Sequence, residues 1–261
     1  MSLYREHGIV LRTWRLGEAD RIVSVLTRHH GKVRAVAKGA RKTRSRFAAR
    51  LQPSRHLSLQ LFAGRGDLDT VTQAETVDGF TAIASDLGRL GRASVMLEVT
   101  EHVSLDREPN VALYQLLLGA LRTLEAADRP LVLTGFLLKL LTQEGVQPAL
   151  DGCVSCGERE DLVTYDTASG GVRCRRCRAG LVLADGSLEV MRHIVAGRLR
   201  SVLDEAESPA TRGAEQVAVM ATERFLERRL RAPGVASEAG LAPSRASGQP
   251  AREIGPQAPV L

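Results

Sequence analysis

Alternation of apolar and polar side chains dominates the first 76 residues. Leu57, Leu59 and Leu61 are separated by Ser58 and Gln60, the period-two pattern of a strand with one buried face. Similar short apolar runs occur at 9–14, 22–26, 33–37 and 68–74, divided by turn-forming Leu16-Gly17-Glu18, His29-His30-Gly31 and Gly64-Arg65-Gly66-Asp67. Five short strands in so small a space cannot cover a core as an open sheet, so a small closed barrel is predicted. The third and fourth strands are joined by a long segment, 39–53.

From Phe80 the apolar period becomes that of helices. Ile83, Leu87, Leu90 and Leu97 would share one face, as would Leu113, Leu117, Leu121 and Leu124. Asn110 and Asp128 stand where amino-terminal caps belong, and Pro130 falls in a first turn. The run 131–141 is apolar nearly all round, which marks a central helix packed on several sides and ended by Gly145. One later helix is expected through Leu188, Met191, Val195 and Leu199, and another within 211–231. After Arg231 the composition turns to Ala, Pro, Gly and Ser, with five of the ten prolines in the tail, and disorder is expected over 232–261. The organisation read from the pattern is a barrel over 1–79, an α-helical domain over 80–231 and a tail. The fold class is α+β and multidomain.

Charge changes this picture in one place. The net charge is +6, but residues 21–66 carry twelve Lys/Arg and no Asp or Glu, where a random stretch of that length would hold about five acids. A field of one sign repels itself unless a polyanion neutralises it, and the phosphodiester backbone is the commonest such partner. Arg34, Lys38, Arg41, Lys42, Arg44, Arg46 and Arg50 are the candidate backbone contacts. A basic surface without a ligand is the plainer alternative. Aromatic residues make up 3 % of the chain, and the basic stretch contains only Phe47 and Phe62. Phe62, within the leucine-rich strand, is read as buried, which leaves Phe47 as the residue to stack on bases. Contact should therefore be electrostatic, tolerant of sequence and strandedness, and sensitive to salt.

Four cysteines in a chain without a signal peptide or membrane-spanning run point to a cytosolic protein with thiols rather than disulfides. Cys153-x-x-Cys156 and Cys174-x-x-Cys177 are separated by seventeen residues, the spacing of a four-thiolate zinc site. The turn residues Ser169-Gly170-Gly171 would let the intervening chain fold back as a ribbon. One structural Zn2+ is expected, with an iron–sulfur cluster, a redox dithiol or an empty site as alternatives. Four thiolates leave no open coordination position, so such an ion would hold the chain together and activate no water. Arg173, Arg175, Arg176 and Arg178 would offset its negative charge.

Phosphate-loop, nucleophile-elbow and zinc-protease signatures are all missing, and the six histidines are scattered. Asp67 and Asp69 could hold a metal for nuclease chemistry, but a binding protein, not an enzyme, is the better reading. A zinc-ribbon scaffold for RNA is a further alternative.

Several stretches together resemble the bacterial RecO family of recombination mediators. They are Gly8–Thr13, Gly17–Val23, Gly31–Arg41 and Arg46-Phe47, then Gln73-Ala74-Glu75, Arg107-Glu108-Pro109-Asn110 and Cys153-x-x-Cys156-Gly157. The resemblance covers residues 1–231. It implies an amino-terminal five-stranded OB-fold and a helical domain with an embedded zinc element over 153–177. The implied activity is binding of single- and double-stranded DNA and annealing of complementary strands. The implied partners are RecR, single-stranded-DNA-binding protein through its tail and, indirectly, RecA. No membrane is implied, and the expected location is cytoplasmic and nucleoid-associated.

Overall fold

The computed structural model describes residues 2–43, 45, 47–64 and 66–231. The expected tail, and the candidate contacts Arg44 and Arg46, lie outside the described residues. The five strands are β1 (Leu3–Leu16), β2 (Asp20–Thr27), β3 (Lys32–Ala37), β4 (His56–Phe62) and β5 (Asp69–Asp78). They close in the order β1-β2-β3-β5-β4. All pairings are antiparallel except the seam between β3 and β5, where Ala35 pairs with Asp69 and Val36 with Thr70.

Alternation places Val23 and Val25, Val33 and Ala35, and Leu57, Leu59 and Leu61 inside the barrel. The connection from β3 to β4 contributes Ala40, Phe47 and Leu51 to the same core, each at most 5 % exposed. This basic segment is therefore anchored at three points. Alternation about the inward Val10 points Ile9 and Leu11 outward, where with Leu26 they join a second, larger core among the helices, and a bulge between Val10 and Arg12 reverses the parity of the strand beyond Leu11.

That second core is built from α2 (Leu87–Val103), α3 (Val111–Ala126), α4 (Leu131–Gln143), α5 (Ser187–Val195) and α7 (Pro209–Phe225), with short α1 (Thr81–Ser85) and α6 (Leu199–Val202). The apolar run of α4 is buried on all sides, and Gly145, at φ 73°, follows its end. Asn110 caps α3, its side chain accepting from the Leu113 N–H at 2.9 Å. Three helix expectations need correcting. Asp128 caps nothing; it pairs with Arg92 at 2.7 Å, and Pro130 occupies the cap position of α4. Leu87 and Leu90 are 81 % and 42 % exposed, because the chain breaks at Asp86 and α2 restarts with a different face inward. The single helix through Leu199 is two, since Gly197 at φ 79° ends the first.

The strap from α2 to α3 fastens the barrel to the helices. Arg107 Nη2 donates to Asp69 at 2.7 Å, and its backbone N–H donates to the Lys32 carbonyl at 3.0 Å. Glu101, on α2, accepts from the Ser24 hydroxyl at 2.6 Å, and Lys32 Nζ reaches the Glu101 carbonyl at 2.9 Å. At Gly31 (φ 65°) the strap lies so close that a Cβ would stand 2.2 Å from the Glu108 carbonyl oxygen. On the other side of the joint His56, 4 % exposed, bridges Asp78 at 2.7 Å and the Tyr114 hydroxyl at 2.8 Å.

Gly31→Ala should lower stability by at least about 2 kcal/mol, because it adds left-handed strain to a backbone clash. Gly17→Ala, also at positive φ but with nothing within 4 Å, should cost only about 1 kcal/mol. Denaturant unfolding of both variants checks this, and equal losses would place the strap contact outside the joint. Burial holds the His56 pKa below its ordinary value despite the pull of Asp78 upward. As pH falls through the ordinary histidine value of about 6.5, the unfolded chain takes up the proton first, so stability declines below that pH. The unfolding midpoint should therefore drop between pH 7.5 and 5.5, and less so in His56→Gln. Equal slopes for the two proteins would contradict it.

Candidate nucleic-acid interface and metal centre

The barrel presents two outer regions of different character. The Ser24–Leu26 half of β2 lies under α2 and the strap, which leaves the far half of β1–β3 and the β3–β4 connection open. Lys38, Arg41 and Lys42 are exposed there, and among the described residues Lys38 and Lys42 form no ion pair. Arg41 braces the turn between β1 and β2, donating to the Gly17 carbonyl at 3.0 Å. The local scaffold is held from below: the Asp20 carboxylate accepts from the Gly39 N–H at 2.7 Å, with Gly39 at φ 66°.

The other candidates are less free. Arg34 stands 3.5 Å from Asp106 on the strap, so part of its charge is already compensated. Arg50 donates to the Ala74 carbonyl at 3.2 Å and remains exposed. Phe47 is a correction. It is 5 % exposed and belongs to the barrel core, so its ring offers no face to a base. Phe62 is the reverse: 37 % exposed, because its parity along β4 is that of Ser58 and Gln60, not that of the leucines. Trp14 was not singled out by the sequence. Strict alternation from Val10 puts it inside, and only the bulge beside Leu11 turns it to the outer face.

Asp69 is no metal ligand. It is 1 % exposed and accepts from Arg107, from the Tyr4 hydroxyl and from the Gly64 N–H. Burial would raise its pKa, but these hydrogen bonds outweigh it and hold the carboxyl below the ordinary carboxylate range. Asp67 is exposed on the turn and does not share a site with it.

The four cysteines come together as their spacing predicts. Their sulfurs all lie within 4.8 Å of one another, and Cys156 Sγ is 3.7 Å from Cys174 Sγ. Tetrahedral thiolates at about 2.3 Å from one ion would stand about 3.8 Å apart, so the donor set fits a four-thiolate metal ion. The first pair sits on a tight turn, with the Gly157 N–H donating to the Cys153 carbonyl at 2.8 Å and Gly157 at φ 78°. The second pair spans the end of β7 (Gly171–Cys174) and a single 3₁₀ turn, Arg175–Cys177. β6 (Leu162–Asp166) pairs with β7 as the expected ribbon, and β8 (Leu181–Val182) completes a three-stranded sheet. Tyr165 and Val172 project from this ribbon into the helical core, so the element is embedded, not appended.

Backbone N–H groups, that of Cys174 foremost, hold the Cys153 thiol down at about 6, while hydrogen bonding with Cys156 pushes Cys177 up to about 12. A cation binding here finds the Cys153 thiol inclined to ionise and displaces the proton that Cys177 holds. The surrounding arginines are not simple counter-charges. Arg173 binds Asp166 and the Ser155 hydroxyl, Arg175 binds Asp161 at 2.8 Å, and Arg176 is 3.7 Å from Glu158. They tie the two knuckles to the ribbon, and their charge is shared with carboxylates. Among the described residues no helix is long and apolar enough to cross a membrane.

Two family models match the chain: "Recombination protein O N terminal" over residues 1–80 and "Recombination protein O C terminal" over residues 84–235. The DNA repair protein RecO of Frankia casuarinae is 43 % identical over 238 residues, covering 89 % of this chain and 97 % of that protein. The DNA repair protein RecO of Thermobifida fusca is 47 % identical over 182 residues, covering 68 % of this chain and 74 % of the relative. That of Streptomyces griseus subsp. griseus is 44 % identical over 187 residues, with 68 % and 75 % covered.

Proposed function

Since the chain belongs to the recombination protein O family, a family of DNA repair proteins, we propose that it is a non-enzymatic recombination mediator. It binds single- and double-stranded DNA, anneals complementary strands and, with RecR, helps load RecA onto strands coated by single-stranded-DNA-binding protein. The observation that carries this reading is the basic β3–β4 connection. It projects Lys38, Arg41 and Lys42 into solvent while Ala40, Phe47 and Leu51 pin it to the barrel core. A rigidly mounted cationic surface holds phosphates without reading base edges, which annealing requires to stay free. Bond cleavage has no part in this function, and the engagement of Asp69 in the joint is consistent with that. The place of action is the nucleoid.

The bound ion is one structural Zn2+. A closed set of four thiolates suits its tetrahedral preference and leaves no position for substrate. Its role is to fold the ribbon that feeds Tyr165 and Val172 into the helical core.

Lys38→Ala and Lys42→Ala should each flatten the plot of log affinity against log salt by roughly 0.7 on single strands. Arg34→Ala should change it less, because Asp106 already shares that charge. Titrations of labelled oligonucleotide at several salt concentrations measure this, and unchanged slopes for both lysine variants would remove the segment from the interface. Magnesium and labelled DNA should leave strands intact, and RNA oligonucleotides should compete no better than DNA.

Elemental analysis should find one zinc per chain in the wild type and none in Cys153→Ser. Strong chelators should lower the unfolding midpoint of the wild type only. Stoichiometric iron, or no metal with unaltered stability, would count against the zinc assignment.

A further inference from the structure

The strand register places a row of partly exposed, mostly apolar side chains around the outer surface of the closed barrel. Trp14 of β1 pairs with Ile22 of β2, and Ile22 pairs with Val36 of β3. Val36 pairs across the parallel seam with Thr70 of β5, Thr70 with Phe62 of β4, and Phe62 with Leu3 of β1. Every one of these positions is partly or fully exposed, Phe62 at 37 % and Leu3 at 54 %. Side chains in cross-strand pairs stand side by side, so the row is a track, apolar except at Thr70, that advances one strand spacing, roughly 4.8 Å, per step around the barrel. An aromatic ring stands toward each end.

Cations border this track. The Arg12 guanidinium lies over the Trp14 ring, 5.1 Å from its centroid, so it holds one face of the indole with a positive charge and the opposite face is the one a base would use. Lys38 follows Val36 by two residues and is exposed, and Arg34 precedes it by two. Rings that accept bases, next to cations that accept phosphates, are the two components of a single-strand site. A duplex has no such use for the track, because its bases are already stacked inside the helix.

We infer that Trp14, with Phe62 as a second platform, stacks on the unpaired bases of a single nucleic-acid strand laid along this row. This rests on the nucleic-acid-binding function proposed above and deepens it: the track distinguishes single strands from duplex, which the charges alone do not. Trp14 is the only tryptophan of the chain, so its emission reports on this position alone.

Intrinsic fluorescence of the full-length wild type titrated with oligo-deoxythymidine should be quenched to saturation, and far less by a hairpin duplex. By anisotropy of labelled strands, Trp14→Leu, which keeps an apolar side chain, should weaken single-strand binding about tenfold and leave duplex binding within about twofold. Trp14→Phe should keep most of the single-strand affinity, and Phe62→Ala should weaken it in the same direction as Trp14→Leu. If single strands bind by anisotropy while Trp14 emission stays unchanged, the inference is overturned and the electrostatic function stands. The same holds if Trp14→Leu loses nothing, or loses single strand and duplex alike. If neither strand form binds at low salt, both fail together. Should Trp14→Leu fold poorly, the wild-type quenching and the Trp14→Phe affinity decide the matter.

Discussion

A single buried carboxylate holds this molecule in register. Asp69 stands at the parallel seam where the barrel closes, and it gathers a donor from β1 (Tyr4), one from the β4–β5 turn (Gly64) and one from the strap between α2 and α3 (Arg107). A charge removed from water is tolerated only when it is fully compensated, and losing one partner strands the others. The seam itself offers two cross-strand pairs, the fewest of any pairing in the barrel. Closure of the barrel and attachment of the strap thus meet at one residue.

That attachment decides which barrel surface is available for function. The helices cover Ile9, Leu11 and Leu26, and the strap takes up Lys32 and part of the charge of Arg34. What remains open is the far half of β1–β3 and the segment after β3, where no acidic strap reaches Lys38 or Lys42. The positive field is concentrated by subtraction: Asp69, Asp78, Glu101 and Asp106 are spent at the joint. The metal element stands apart from this surface in the chain and serves the other core, through Tyr165 and Val172. Two cores sit side by side, and the ribbon that carries the four cysteines contributes to the helical one.

The basic segment also shows how a surface loop can be rigid. Among the described residues Arg41, Lys42 and Arg50 lie between apolar anchors at Ala40, Phe47 and Leu51, so for that backbone ordering entropy is spent on folding and not again on binding. The burial of Phe47 belongs to this anchoring. A ring buried in the barrel core cannot also stack on a base, and the aromatic faces on the outside come from strands instead.

Much of this was legible in the sequence. The five strands follow from alternation, the buried α4 from its unbroken apolar run, the Asn110 cap from its position, and the thiol cluster from two pairs at the right spacing. These are signals carried within a few residues, where period and spacing fix which way side chains point. The family likeness was equally legible, because collinear motifs need no coordinates. The tertiary structure alone decided the rest. A one-residue bulge reversed the parity of β1 and turned Trp14 outward, and no local pattern announces a bulge. Strand parity put Phe62 outside and barrel volume drew Phe47 inside. Which of the basic residues stay unpaired depended on acids such as Asp106, more than fifty residues away along the chain, since electrostatic and packing contacts act through space and a sequence orders residues only along a line.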